Sequence, residues 1–273
     1  MQSSEFKRYI RRMVLIRWIK LIPMNILRLI RLILFQFSAD HRRLKELRNI
    51  HKGERCYIIG NGPSLTIEDL DRLEGRVCFA FNRIFEVFPK TKWRPAYYMV
   101  LDNDAMVYTA QNLEKIDAPL RILNVMGKLR GIKPDKRTVC FCSYGWYFPR
   151  EFRFQKKRIS KDISRWFSLN NSVACDAIEA AIYMGFQEIV LLGIDHNYAR
   201  YIDRFGNGHC DQQVQDYGIT SKHEYVNFIH KDALESSYQC YKDYCDANGI
   251  RIVNATRGGK LNVFQRQPLE ELL

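Results

Sequence analysis

No two of the eight cysteines, at positions 56, 78, 140, 142, 175, 210, 240 and 245, are spaced as C-x-x-C. The usual sequence basis for a zinc ribbon or a dithiol redox centre is therefore missing. Several lie in apolar, strand-like runs and are expected to be reduced, mostly buried thiols of a cytosolic protein. The sequence also lacks any uncharged apolar run near the roughly 18–20 residues that cross a bilayer. The longest in the N-terminal region are Leu21–Leu27 and Leu32–Ala39. No small-residue cleavage site follows an uninterrupted apolar stretch, which argues against a cleavable secretion signal. Internal repeats and low-complexity segments are absent, so 273 residues suit one large domain with appendages.

What the chain has is positive charge, unevenly placed. Residues 1–50 hold twelve Lys/Arg against three Asp/Glu, a net +9 of the chain's +13. Residues 5–37 mix these bases with Ile, Leu, Trp and Phe. As helices, they put Arg17, Lys20, Arg28 and Arg31 on one face and Lys7, Arg8, Arg11 and Arg12 on another. Pro23 is expected to end or kink the first helix. Residues 1–50 are thus expected to form basic amphipathic helices on an anionic membrane, peripheral on the inner face of the cell membrane. The competing reading packs them on the body of the protein or on another subunit.

Residues 51–273 alternate strands and helices. Strands are expected at Arg55–Ile59, Val77–Phe81, Ala96–Leu101, Leu120–Val125, Thr138–Cys142, Glu188–Leu192 and Ile250–Val253. Helices are expected near Thr66–Leu73, Ala105–Leu113, Ser172–Met184 and His230–Cys245. This is an α/β pattern, a Rossmann-like, mostly parallel sheet with helices on both faces. Residues 143–170 interrupt it with Arg150, Arg153, Lys156, Lys157, Arg158, Lys161 and Arg165 among Phe152, Phe154, Trp166 and Phe167. They read as a solvated face or as a basic, aromatic lid. No recognised nucleic-acid module surrounds them, so nucleic acid is not an expected partner.

Ligands of open α/β sheets bind beyond the carboxyl ends of the strands. The first strand runs into Gly60-Asn61-Gly62-Pro63-Ser64, followed by a helix start. Such a turn can hold an anion on backbone N–H groups and the helix dipole, or can be a plain turn. It lacks the third glycine of G-x-G-x-x-G and the lysine of a Walker A loop. Other strand ends deliver Asn82, then Asp102 and Asp104, then Gly193 and Asp195 followed by His196, Tyr198 and Tyr201, and finally Thr256. Asp102-x-Asp104 has the spacing to hold Mg²⁺ against a diphosphate, or Asp104 caps a helix. His223 and His230 lie before, or in the first turn of, a late helix, where each is a general base or a surface residue. Gly206-Asn207-Gly208-His209 reads as a mobile loop.

Together these motifs resemble bacterial CMP-sialic-acid sialyltransferases of glycosyltransferase family 42, within the wider domain-of-unknown-function 115 group that includes a 6-hydroxymethylpterin diphosphokinase. The carrying residues are Ile59-Gly60-Asn61-Gly62-Pro63-Ser64-Leu65, Asn82, Asn171-Ser172 with Ala177–Gly185, Glu188–Asp195 and Asp232-Ala233-Leu234-Glu235. Asn254–Leu261 looks more like the wider group, including members associated with surface-polysaccharide synthesis. The sialyltransferase resemblance implies inverting, metal-independent transfer from a CMP-sugar. It implies Asn61, Ser64, Asn82 and Ser172 at the nucleotide, tyrosine hydroxyls such as Tyr198 and Tyr201 at the departing phosphate, and a histidine as base. The family's histidine position falls near Tyr225, two residues from His223, which makes His223 the first candidate and His230 the second.

The expected function is a membrane-associated glycosyltransferase moving a sugar from a nucleotide donor to a surface polysaccharide or glycolipid, with no cofactor required. A Mg²⁺-dependent diphosphokinase and a non-catalytic membrane scaffold are the alternatives, and a second copy of the chain stays among the candidate partners.

Overall fold

The computed structural model describes residues 19, 21–101, 103–125, 131–144, 159–168, 172–203, 205–211, 213–214, 218–220 and 229–273. Asp102, Asn171, His223, Tyr225, the N-terminal residues 1–18 and most of the expected lid lie outside them.

Helix α1 (Leu21–Phe35) meets α2 (Ala39–Glu46) at a 67° bend. The strands are β1 (Arg55–Ile59), β2 (Cys78–Phe81), β3 (Tyr97–Val100), β4 (Leu120–Asn124), β5 (Thr138–Phe141), β6 (Ser143–Tyr144), β7 (Phe167–Ser168), β8 (Glu188–Leu192), β9 (Arg200–Ile202), β10 (Gly208–Cys210), β11 (Ile229–His230), β12 (Arg251–Asn254) and β13 (Gln265–Arg266). Between them run α3 (Ile67–Arg72), α4 (Asn103–Gln111), α5 (Val173–Met184) and α6 (Lys231–Ala247).

Eight strands form one sheet in the order β13-β12-β8-β1-β2-β3-β4-β5. Every pairing in it is parallel. The central strands β1, β2, β3 and β8 are mostly apolar because both faces are covered, whereas the edge strand β13 is exposed Gln265-Arg266. Along β1, Cys56 and Ile58 enter one core with α5 and α6, while Tyr57 and Ile59 enter the other with α3 and α4. Strand order grows one way from β1 through β2 to β5, then resumes at β8 on the other side of β1. The switch point therefore lies between β1 and β8, where the carboxyl ends of the strands open a crevice.

Helix α5 is buried on nearly every side, so its sequence is apolar all round rather than striped. Ser172 caps its start, and Gly185 ends it at φ 91°. Two acids are sealed within it. Glu179 accepts from the Ser160 and Ser168 backbone N–H groups and from the Ser168 hydroxyl. Asp176 has both carboxyl oxygens buried without a hydrogen-bond partner among the described residues. Burial and the neighbouring Glu179 push the Asp176 carboxyl far up, while burial brings Glu179 to about 7.

Three elements depart from the pattern read in the sequence. Residues Asn82–Lys90 form a 3-10 helix whose Ile84, Phe85, Val87 and Phe88 are buried. The expected loop at Gly206–His209 instead belongs to a hairpin: Gly206 and Asn207 lie in the turn after β9 and Gly208 and His209 open β10, with the Asp203 carboxylate accepting from the Phe205 and Asn207 backbone N–H groups. Pro23 lies inside helical backbone near the described start of α1 and does not end it.

Helix α1 is inverted relative to an ordinary surface helix. Asn25 is buried and Arg28 half-buried, while Ile22, Ile26, Leu27, Ile30, Ile33 and Leu34 are each at least 46% exposed. Helix α2 is docked, with Arg43 donating to the Lys136 carbonyl at 2.7 Å and Asp40 accepting from the Cys140 N–H at 3.1 Å. Among the described residues no single helix is long and apolar enough to cross a membrane.

Candidate functional site

The turn after β1 meets the turn after β8 at the switch point. Gly60 N–H donates to the Leu192 carbonyl at 2.8 Å, and Gly62 N–H to the Gly193 carbonyl at 3.0 Å. These two donors, expected to be open to an anion, are consumed by the neighbouring turn. The helix after them is closed as well. Thr66 and Asp69 form a capping box at the start of α3, putting a carboxylate where an anion would sit. The glycines serve close packing instead: a Cβ on Gly60 would lie 2.2 Å from the Gly193 oxygen, and one on Gly62 1.9 Å from Asp195 Oδ2.

What the crevice offers is side chains. Asn61 is 8% exposed and donates through Nδ2 to the Phe81 carbonyl at 3.1 Å. Its Oδ1 is buried with no hydrogen-bond partner among the described residues. Asn82, at the end of β2, holds its Oδ1 in the same condition. Asn82 also has φ 56°, a left-handed backbone that Asn tolerates better than most residues. These two amide acceptors at adjacent strand ends are suited to bind donors, since a buried acceptor without a partner costs about 1–3 kcal/mol.

Ser64 Oγ donates to Asp195 Oδ2 at 2.8 Å. Burial raises the Asp195 carboxyl, and the Ser64 bonds oppose the rise. Thr256 is structural here, accepting the Ile194 N–H at 3.1 Å, while Lys260 N–H donates to the Asp195 carbonyl at 2.7 Å. Arg257 pairs with Asp69 and donates to the Ser64 carbonyl, joining the C-terminal tail to the turn.

The structure thus brings together Gly60, Asn61, Gly62, Ser64, Gly193, Asp195 and Thr256, with Asn82 next to them. Ser172 caps the start of α5, its hydroxyl accepting from the Ala174 N–H at 3.2 Å. Tyr198 stands half-buried on the loop after β8. Tyr201 lies in β9, stacked on His209 at 4.6 Å with Lys231 Nζ 5.4 Å from its ring centre. His230 closes β11 and opens α6. Asp104 falls in α4. No cluster of three or more metal-ligating side chains occurs among the described residues. An open pocket lined by Phe85, Pro89, Arg94 and Tyr108 holds none of the predicted site residues.

His196 is placed by the sequence at the end of β8 but is given no role there. It follows Asp195, takes φ 51° and is 3% exposed. Its Nδ1 lies 3.3 Å from the Tyr198 hydroxyl, and its Nε2 3.3 Å from Glu235 Oε1, at ion-pair distance but short of hydrogen-bond alignment. Lys231, Glu235 and Tyr238 share the α6 face turned to it, as the i, i+4, i+7 spacing requires. Burial lowers the His196 pKa, Glu235 raises it and Lys231 lowers it, leaving it below the ordinary value.

The family described as 6-hydroxymethylpterin diphosphokinase MptE-like matches residues 34–200. The chain belongs to that family. Among solved structures, the MAf glycosyltransferase from Magnetospirillum magneticum AMB-1 is similar with a TM-score of 0.51 at 16% identity, over 85% of this chain and 39% of that one. The chain therefore spans about two fifths of that enzyme's length. The sialyltransferase CstII from Campylobacter jejuni, in complex with the substrate analogue cytidine-5'-monophosphate, is similar with a TM-score of 0.47 at 16% identity, over 80% of this chain and 86% of that one. At such identities the likeness concerns the fold. Among curated protein sequences, none matches.

Proposed function

We propose that the protein is a glycosyltransferase that takes a sugar from a CMP-activated donor and passes it to a surface polysaccharide or glycolipid. The observation that carries this reading is the pair of orphaned, buried acceptors, Asn61 Oδ1 and Asn82 Oδ1, at the switch point. A cytosine amino group and ribose hydroxyls are donors of the kind these acceptors need. The resemblance of the Gly60–Ser64 turn and of the Gly193-Ile194-Asp195 segment to sialyltransferases points the same way. A known glycosyltransferase sharing the fold supports the class by analogy alone.

The diphosphokinase in the family's description is the competing reading. It needs a cradle for a triphosphate, and the Gly60 and Gly62 N–H groups are already bonded to β8 and its turn. Thermal denaturation with CMP, CDP, UDP, GDP and ATP, each with and without Mg²⁺, separates the two. Stabilisation by CMP independent of EDTA is expected through mass action. Stabilisation by ATP·Mg²⁺ alone overturns the transferase reading.

The second part of the proposal places the enzyme on an anionic membrane surface. The outward face of α1 is apolar, and the flanking sequence is strongly basic, a combination that matches a bilayer carrying acidic headgroups. Burial pushes the thiol of Cys142, just past β5, up, and Arg31 and Arg28 of α1 lie near enough to oppose the rise. The apolar helix therefore runs near the carboxyl end of β5, an edge strand of the sheet.

A further inference from the structure

Transfer to a hydroxyl requires a base, and His196, delivered by the strand end after Asp195, is a histidine to which the sequence motifs gave no role. We propose that Tyr198, His196 and Glu235 form a proton relay that deprotonates the acceptor hydroxyl, an inference that rests on the glycosyl-transfer reading above.

Three observations carry it. The first is the linear order of the groups: the Tyr198 hydroxyl lies 3.3 Å from His196 Nδ1, and Glu235 Oε1 lies 3.3 Å from His196 Nε2. A carboxylate on one ring nitrogen favours the proton there and leaves the other nitrogen as an acceptor. These distances are loose for hydrogen bonds, as catalytic contacts often are before substrate binds. The second is depth. The His196 ring is sealed in, so it cannot meet an acceptor itself, whereas Tyr198 is half-exposed and can. The third is location. His196 follows the Asp195 that bonds Ser64, and its ring makes an edge contact with Tyr238, which packs in the same core as α5. The relay thus lies between the Asn61–Ser64 turn and the face of α6 that packs on α5.

The backbone supports a placed function. His196 holds φ 51°, an uncommon conformation for histidine, and the tail over Asp195 keeps it there. A Cβ on Gly259 would approach the Asp195 carbonyl oxygen to 2.8 Å, so the tail packs closely on this turn. Among the described residues, the charged and titratable groups facing His196 are Glu235 and Lys231 from α6, with Tyr238 from α6 and Tyr198 from its own loop. Their sum with burial keeps the imidazole neutral at neutral pH, which is the form a base needs.

In the step itself, a bond forms between the acceptor oxygen and the anomeric carbon as the bond from that carbon to the phosphate oxygen breaks. The phosphate leaves with the electron pair. The acceptor's proton moves to the Tyr198 oxygen while the Tyr198 proton moves to His196 Nδ1. The resulting imidazolium is held by the Glu235 carboxylate and later returns its proton to solvent through Tyr198. Tyr198 is the residue that touches substrate; His196 and Glu235 act through it.

The test uses the full chain with His196→Asn, Tyr198→Phe and Glu235→Gln. Asn tolerates the left-handed backbone, and half-exposed Glu235 gives a variant with little folding risk. CMP binding is measured by calorimetry, CMP release from CMP-sialic acid is followed across pH with lactose or water as acceptor, and the ring nitrogens are read by ¹⁵N-histidine NMR. Wild type is expected to show an Nε2–H tautomer with Nδ1 unprotonated, and an acid limb in its rate profile. His196→Asn and Tyr198→Phe should lower turnover by about a hundredfold or more while CMP affinity stays within about threefold, and His196→Asn should lose the acid limb. Glu235→Gln should move the limb to lower pH. Normal CMP binding with turnover within about threefold of wild type in His196→Asn, or an Nδ1–H tautomer, overturns the relay and leaves the transferase reading standing. Failure of wild type to bind CMP overturns both.

Discussion

Ser64 on the turn after β1 and Asp195 on the turn after β8 are joined by a 2.8 Å hydrogen bond across the switch point of the sheet. The bond holds two turns in contact that are more than a hundred residues apart in the chain. Ser64 thus orders the crevice wall besides being available to a ligand, and the glycines beside it exist to let that contact form.

Gly60→Ala should therefore destabilise far more than Gly75→Ala. At Gly60 the added methyl meets backbone, the Gly193 oxygen at 2.2 Å, which cannot swing aside. At Gly75 nothing lies within 4 Å, and the cost is that of a positive φ. Urea denaturation should show losses of about 3 kcal/mol or more against about 1 kcal/mol. Equal losses would mean that the two turns are not packed as described.

Asn82→Gly isolates the orphaned acceptor from its backbone, because glycine accepts φ 56° without strain. Stability should stay within about 1 kcal/mol of wild type. CMP affinity, read by calorimetry, should fall about two- to tenfold, the worth of one ordinary hydrogen bond. Unchanged affinity removes Asn82 from the nucleotide site.

Stability should fall as pH rises through the acid range. In the folded state Glu179 holds its proton to about 7, whereas the unfolded chain releases it near 4.5. Between these values the unfolded state binds fewer protons, so folding becomes less favourable, by an amount on the order of 3 kcal/mol in total. Asp176 acts in the same direction. Asp176→Asn, which gives up no hydrogen bond among the described residues, should flatten the decline measured by urea denaturation from pH 4.5 to 8. A profile as steep as wild type would place the Asp176 carboxyl in water.

The outward face of α1 should drive membrane binding. Leu27→Ser, Ile30→Ser and Leu34→Ser together remove exposed apolar area and leave the inward Asn25, Leu32 and Phe35 in place. Flotation with phosphatidylglycerol-containing vesicles should drop by about a hundredfold or more, with weaker binding of wild type to phosphatidylcholine alone. Undiminished flotation removes α1 as the contact. A shift from dimer to monomer in gel filtration, with flotation unchanged, assigns the face to self-association.

The sheet was legible because its strands are short apolar runs ended by polar residues, a pattern set by burial on both faces. The helix starts were equally legible: Thr66 with Asp69, and Ser172, advertise caps through local chemistry. Less legible was Asn82–Lys90, where four buried apolar residues at mixed spacing fit neither helix nor strand periods and take a 3-10 form by packing on the sheet. The face of α1 was unreadable for a related reason: a segment carrying both bases and apolar residues on several sides does not declare which side the body will claim.

By itself the sequence determined the order of the strands along the chain, the polar residues at their carboxyl ends and the basic, apolar N-terminal segment, because each depends on residue type and short spacing. The tertiary structure decided how the strand ends meet. Hydrogen-bond capacity is spent on whichever partner arrives: beside β1, β8 and its turn take up the glycine N–H groups, the side-chain oxygens of Asn61 and Asn82 find no partner among the described residues, and Glu235 comes to face His196. Those pairings join residues far apart in sequence, and no local pattern encodes them.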